Sequence, residues 1–365
     1  MAENDLFGGT DKLLFQGSAT PRKEPHLPPP LEPMLRSTGQ YVPGEELQYA
    51  VQVSLLLGQP LLLTGEPGTG KTTLAAALAH ELFDDRLLEM QTKSNFSRED
   101  LLYRIDEMSM FRDAHVHRPQ QRTLDYLSVR PLGEAILRAC RSDTPLRDRA
   151  GNPLSGAEAS VREVFGDSLK GRVPTVADLL PERSWVEPER VVLLIDEIDK
   201  APRDMPNDLL EEFDRMSFAI PEFNLSVRSP EGAPRPVVIV TSNSEKSLPD
   251  AFLRRCAYHH IDFPKDATLT RIIVERLGED VLDPVTLKQL LDLFMQMRTK
   301  LQRRPGTAEL LQWLRLASTH TRALSAEADI RTRRKALTSL ISVLVKNVAD
   351  IPIATGLIES WTPGL

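Results

Sequence analysis

The segment LLLTGEPGTGKTTLAAALA, Leu61 to Ala79, constrains the fold more than any other part of the chain. An aliphatic run enters a glycine-rich turn and leaves it as an alanine-rich helix former, so the turn is pinned between a buried strand and a helix. Within it, GEPGTGKT, Gly65 to Thr72, fits the pattern G-x-x-x-x-G-K-[ST]. Glycines at Gly65, Gly68 and Gly70 allow positive φ. The stretch Gly65, Glu66, Pro67, Gly68, Thr69, Gly70, Lys71, Thr72 and Thr73 can then curl into an anion nest, reinforced by the positive end of the helix. Lys71 reaches terminal phosphates as a point charge, and the Thr72 hydroxyl is placed to ligate magnesium. Average residue usage gives this four-position match by accident in roughly one chain of this length in a hundred. The stretch is expected to hold a nucleoside triphosphate.

Two more apolar runs follow, RVVLLIDEID from Arg190 and RPVVIVTSN from Arg235. With PLLLTG they read as buried strands, alternating with the helices TTLAAALAHELF and MPNDLLEEFDRM. That alternation predicts an α/β fold, a phosphate-loop αβα sandwich with a parallel sheet and right-handed crossovers. After Pro264 only helical periodicity recurs, in ATLTRIIVERL, VTLKQLLDLFMQMRTKL, TAELLQWLRLAS and KALTSLISVLVKNV, which predicts a small all-α domain. The expected organisation is a Pro-rich arm over 1–38, an α/β domain over 39–264 with an insert at 108–188, and a helical domain with a C-terminal helix over 265–365. The arm contains PRKEPHLPPPLEP, whose prolines favour extended conformation. In the insert, LGEAILRAC and VADLL read as helices and RDRAGNPLSG as turns.

The second strand delivers two carboxylates to the carboxyl edge of the sheet, where open parallel sheets bind ligands. Asp196 is a candidate to hold Mg²⁺ through water. Glu197 follows it and is a candidate to orient a water for attack on the γ-phosphate; alternatively, DEIDKAP simply caps the next helix. Asn243 ends the third strand and either points toward the γ-phosphate and the attacking water or opens a turn. LPDAFLRRC, Leu248 to Cys256, ends in Arg254 and Arg255, which either act in catalysis or complement the helix dipole.

The loop, the paired acidic residues, TSN and LPDAFLRRC occur in the order found in AAA+ ATPases, and the chain closely resembles the MoxR-like branch. NFSREDLLYRID, IDEIDKAPRDMPNDLLEEFD and RPGTAELLQWLR add to the likeness, which spans roughly Gln40 to Ser318. The resemblance implies hydrolysis of ATP with Mg²⁺ in a ring, usually of six subunits, with nucleotide at each subunit interface and the helical domain acting as a lid. It makes Asn243 the sensor 1 residue and Arg254 and Arg255 candidate fingers for a neighbour's ATP, a role worth about 10³ to 10⁵ in rate. The sensor 2 arginine is not matched; Thr307 stands near its position, and Arg303 or Arg304 could substitute. The branch implies a chaperone-like activator of a protein client, frequently working with a von Willebrand factor A domain protein. It also implies a hairpin within FAIPEFNLSVRSPEGAPRP, Phe218 to Pro236, for which SPEG is the expected turn. Phe218 or Phe223 then either contacts the client or packs in the core.

A net charge of -7 and a pI near 5.6 argue against a nucleic-acid partner, and RTRRK, Arg331 to Lys335, reads as a solvated helix face. Cys140 and Cys256 lack disulfide or zinc spacing. No signal-like start and no apolar run of about 20 residues are found, so a cytoplasmic protein without membrane insertion is expected. A nucleotide-controlled assembly switch in a defence or signalling system, with slow turnover, is the alternative reading. A DNA-handling motor ranks below it, and a small-molecule kinase last.

Overall fold

The computed structural model describes residues 41–97, 99–115, 122–243, 247–324 and 328–361; the Pro-rich arm at 1–38 lies outside them. The chain divides into two compact units. One holds Pro43–Gly65 and Lys71–Ile261; the other holds Asp262–Leu365 with Glu66–Gly70 and, of the described residues before Pro43, Tyr41 and Val42.

In the α/β unit, β1 (Leu61–Gly65) and β2 (Leu87–Gln91) precede an antiparallel pair, β3 (Tyr103–Ile105) and β4 (Leu127–Val129). A short β5 (Arg147–Asp148) comes before β6 (Val192–Asp196), the hairpin of β7 (Ser217–Ile220) and β8 (Leu225–Arg228), and finally β9 (Val237–Ser242) and β10 (Ala257–Ile261). Five of these form an all-parallel sheet in the order β10-β1-β9-β6-β2. The three central strands are the three aliphatic runs, buried throughout at Leu61–Leu63, Val192–Ile195 and Val237–Val240. Of the edge strands, β2 buries alternate residues and β10 only half-buries alternate ones, which is why LLEMQ and AYHHI carry no continuous apolar run. The order matters for function: β9 lies between β1 and β6, so all three motif-bearing strands are neighbours and end at one edge.

Helices Lys71–Leu82 and Met205–Arg215 are found where the sequence places them. In the region 108–188, helix Pro131–Arg138 buries Leu132, Ile136 and Leu137, and VADLL forms a short helix of the 3₁₀ type, Val176–Leu179. Gly133 is required there: a Cβ would sit 2.1 Å from the Leu102 carbonyl oxygen. The hairpin also corrects the sequence reading. Its turn is Pro221–Asn224, with Asn224 at φ 48°, and SPEG belongs to the connection from β8 to β9. β8 pairs on its other side with β5, so the hairpin and the region 108–188 share one small sheet. Phe218 and Phe223 are buried in the core of this unit, which favours packing over client contact.

The other unit is helical, built on Asp266–Leu277, Pro284–Lys300, Thr307–Ala317, Ile330–Ser339 and Asp350–Ser360 around Leu290, Phe294, Leu310, Trp313 and Leu314. Burying each such side chain stabilises by roughly 1.5–3 kcal/mol. Asp283 caps its helix by accepting the Thr286 N–H at 2.9 Å, with Pro284 at the first helical position. Fully buried Asp350 accepts the Gln302 and Arg303 N–H groups at 2.8 and 3.1 Å, tying the start of the last helix to the end of Pro284–Lys300. Among the described residues, no helix is long and apolar enough to cross a membrane.

Candidate active site

Gly65, Gly68 and Gly70 have φ of 147°, 78° and 91°, the region in which side chains are strained, so the loop takes the curl that its glycines permit. At its ends, in the α/β unit, the Lys71 ammonium is buried and donates to the Gly65 carbonyl oxygen at 2.8 Å. Thr69 donates to the Glu66 carbonyl oxygen at 2.8 Å. The central residues pack with the helical unit. A Cβ on Gly306 would lie 2.6 Å from the Pro67 carbonyl oxygen, and one on Gly68 would lie 3.3 Å from Glu309 Oε2, which also accepts the Gly306 N–H at 3.1 Å.

The carboxyl edge of the sheet gathers the polar ends of three strands. Thr72, in the first turn after the loop, donates to Asp196 Oδ1 at 3.1 Å, and Thr241 near the end of β9 donates to the same oxygen at 2.5 Å. A hydroxyl beside a carboxylate is a hard-oxygen donor set that suits Mg²⁺, with phosphate oxygens and water completing its shell. Asn243 Nδ2 lies 3.3 Å from Glu197 Oε1, so the strand ends at β6 and β9 are joined through these side chains.

Glu197 sits at φ 58° and ψ 49°, a left-handed conformation that costs a non-glycine residue about 1–3 kcal/mol. Two threonines hold it there. The Glu197 N–H donates to Thr241 Oγ1 at 2.9 Å, and its carbonyl oxygen accepts from Thr92 Oγ1 at 2.5 Å. Its carboxylate accepts from Lys200 Nζ at 2.6 Å and from Gln91 Nε2 at 3.3 Å, both at Oε2. The Lys200 hydrogen bond holds the Glu197 carboxyl below its ordinary range, outweighing partial burial and the nearby Asp199 charge.

Arg254 and Arg255, which follow the short helix Asp250–Leu253, are exposed and make no side-chain hydrogen bond or ion pair among the described residues. They are not brought to the cluster of Thr72, Asp196, Glu197 and Asn243. Of the sensor 2 candidates, Thr307 is buried at the start of its helix, Arg303 caps Asp350 with its backbone, and Arg304 lies 3.8 Å from Glu66. Sequence reasoning missed Arg298. This buried arginine donates to Glu66 and, at 2.6 Å, to the Pro305 carbonyl oxygen, and its guanidinium lies 3.7 Å over the Phe263 ring. One signal was available: Arg298 stands one helical turn after Phe294, a charge on an otherwise apolar face.

Residues 60–256 match the family model of the AAA domain, dynein-related subfamily. The chain belongs to this AAA family. Its members are nucleotide-binding ATPases that typically assemble into rings. No curated protein matches the chain.

Proposed function

We propose that this AAA protein is a MoxR-like ATPase that hydrolyses Mg-ATP as a ring, six subunits by resemblance, and uses turnover to remodel or activate a protein client in a chaperone-like way. The observation that carries the reading is the hydrogen-bonded cluster of Asp196, Glu197 and Asn243 on adjoining strand ends with Thr72, which follows the glycine-rich loop in the chain. In this reading Gly65 to Thr73 bind the phosphates, and Lys71 supplies charge at the terminal ones. Thr72 and Asp196 hold Mg²⁺, which when bound withdraws charge from the phosphate oxygens. Glu197 orients a water and accepts its proton as the water oxygen bonds to the γ-phosphorus and the bond to the β–γ bridging oxygen breaks, releasing ADP. Asn243 steadies Glu197 and that water. Arg254 and Arg255, exposed on their own subunit, are the candidates to act on a neighbour's nucleotide.

Residues 39–264 form the ATPase domain and 265–365 the lid, with 1–38 as an arm and 108–188 as an insert. The client partner is a protein, for which a von Willebrand factor A domain protein is the candidate; nucleic acid is not. Two free thiols, Cys140 and Cys256, support a cytoplasmic setting. The ion pair on Glu197 favours a second reading, in which ATP assembles the ring and slow turnover serves as a timer.

The test is Glu197→Gln. ATP binding is expected to persist while turnover falls by about 10²-fold or more. Retained turnover would overturn the assignment of Glu197.

A further inference from the structure

Both oxygens of the Glu197 carboxylate are engaged: Oε2 with Lys200 Nζ at 2.6 Å and Gln91 Nε2 at 3.3 Å, and Oε1 with Asn243 Nδ2 at 3.3 Å. Lys200 owes its place to the chain. The 3₁₀ turn Ile198–Lys200 follows Glu197 directly, and the Lys200 N–H donates to the Glu197 carbonyl oxygen at 2.9 Å, which sets the ammonium over the carboxylate three residues back. The backbone beneath is fixed, because Thr92 and Thr241 clamp both sides of Glu197 while buried Asp199 accepts the Asn243 N–H at 3.3 Å. The mobile partner is therefore the lysine side chain, which is 43 % exposed and has a long flexible stem. A carboxylate held at contact distance by an ammonium is not free to turn toward a water.

We propose that Lys200 is a positioning residue that restrains Glu197 and sets the rate of the hydrolytic step by releasing it. The proposal rests on the reading of Glu197 as the group that orients the attacking water. It makes Lys200 a brake on chemistry and leaves nucleotide binding untouched, since none of these contacts involves the glycine-rich loop.

The experiment is steady-state ATPase kinetics on the full chain for wild type, Lys200→Met, Lys200→Gln and Lys200→Arg, with binding of a non-hydrolysable ATP analogue measured alongside. Methionine or glutamine removes the charge with little change in stem length; the second keeps the test open if the first does not fold. Both are expected to raise kcat about twofold to fivefold, the factor set by freeing an exposed ion pair, with KM and analogue affinity within about twofold of wild type. Lys200→Arg keeps the cation and is expected to return kcat to the wild-type value. Wild-type turnover that neither uncharged variant exceeds, or a gain accompanied by altered analogue affinity, overturns the assignment of Lys200 alone. Absence of turnover in wild type and variants alike overturns the hydrolytic reading and this inference with it.

Discussion

Two carboxylates, one in the glycine-rich loop and one directly after β6, are each met by a cation, and the two pairs are built differently. In the helical unit, Glu66 of the loop is held by Arg298, whose side chain is 10 % exposed, stacked on Phe263 and fastened to the Pro305 carbonyl. In the α/β unit, Glu197 is held by Lys200, whose side chain is 43 % exposed. Guanidinium offers a rigid fork and a flat face for stacking, whereas an ammonium is a hydrated point charge on a flexible stem. The first pair fixes a loop; the second can open. The difference teaches that carboxylate–cation distance alone does not tell a structural clamp from a releasable contact, and that the burial and chemistry of the cation do.

The largest expected effect comes from the acidic partner at the sheet edge. Glu197→Gln should lower turnover by about 10²-fold or more yet leave thermal stability close to wild type, because its cation is half-exposed and resolvates. Next comes Arg298→Ala, which takes a buried donor from Glu66 and the Pro305 carbonyl and removes the ring contact; a loss of about 2–4 kcal/mol, or roughly 4–16 °C in Tm, is expected by calorimetry. Arg298→Lys should recover less than half of it. Removing the other cation, in Lys200→Met, should change stability by less than about 1 kcal/mol. Equal Tm losses for the two cation variants would erase the comparison.

The smallest effect sharpens it. Burial pushes the Cys140 thiol up to about 11 and Cys256 up to about 12, so at pH 8 both carry far less thiolate than an ordinary cysteine. Native protein should react with a disulfide reagent at least about tenfold more slowly than denatured protein. Both thiols lie in the α/β unit, so they should stay slow in Arg298→Ala if its damage is confined to the helical unit.

The central sheet was legible because β1, β6 and β9 are buried on both faces and therefore spell continuous aliphatic runs. β2 and β10 were not, since an edge strand buries one face and AYHHI looks polar. With β2 went Gln91 and Thr92, which contact Glu197 by side chain and backbone and which no motif marks. SPEG has good turn chemistry but joins β8 to β9, which lie in different sheets; the hairpin closes instead at Asn224, a residue that tolerates the left-handed region. The glycine-rich loop was readable because positive φ at Gly65, Gly68 and Gly70 is a demand on local sequence. Arg298 and Lys200 were not, because their roles depend on neighbours brought in by the fold.

The most direct test of the central claim, that this AAA chain is an ATP hydrolase whose site is completed by a neighbour, is ATPase activity measured against protein concentration with oligomer size followed in parallel, for wild type, Arg254→Ala and Arg255→Ala. Specific activity that rises as rings form, and that is lost in one arginine variant while ATP binding and assembly persist, is the predicted result. Specific activity independent of assembly, or full activity in both variants, contradicts it.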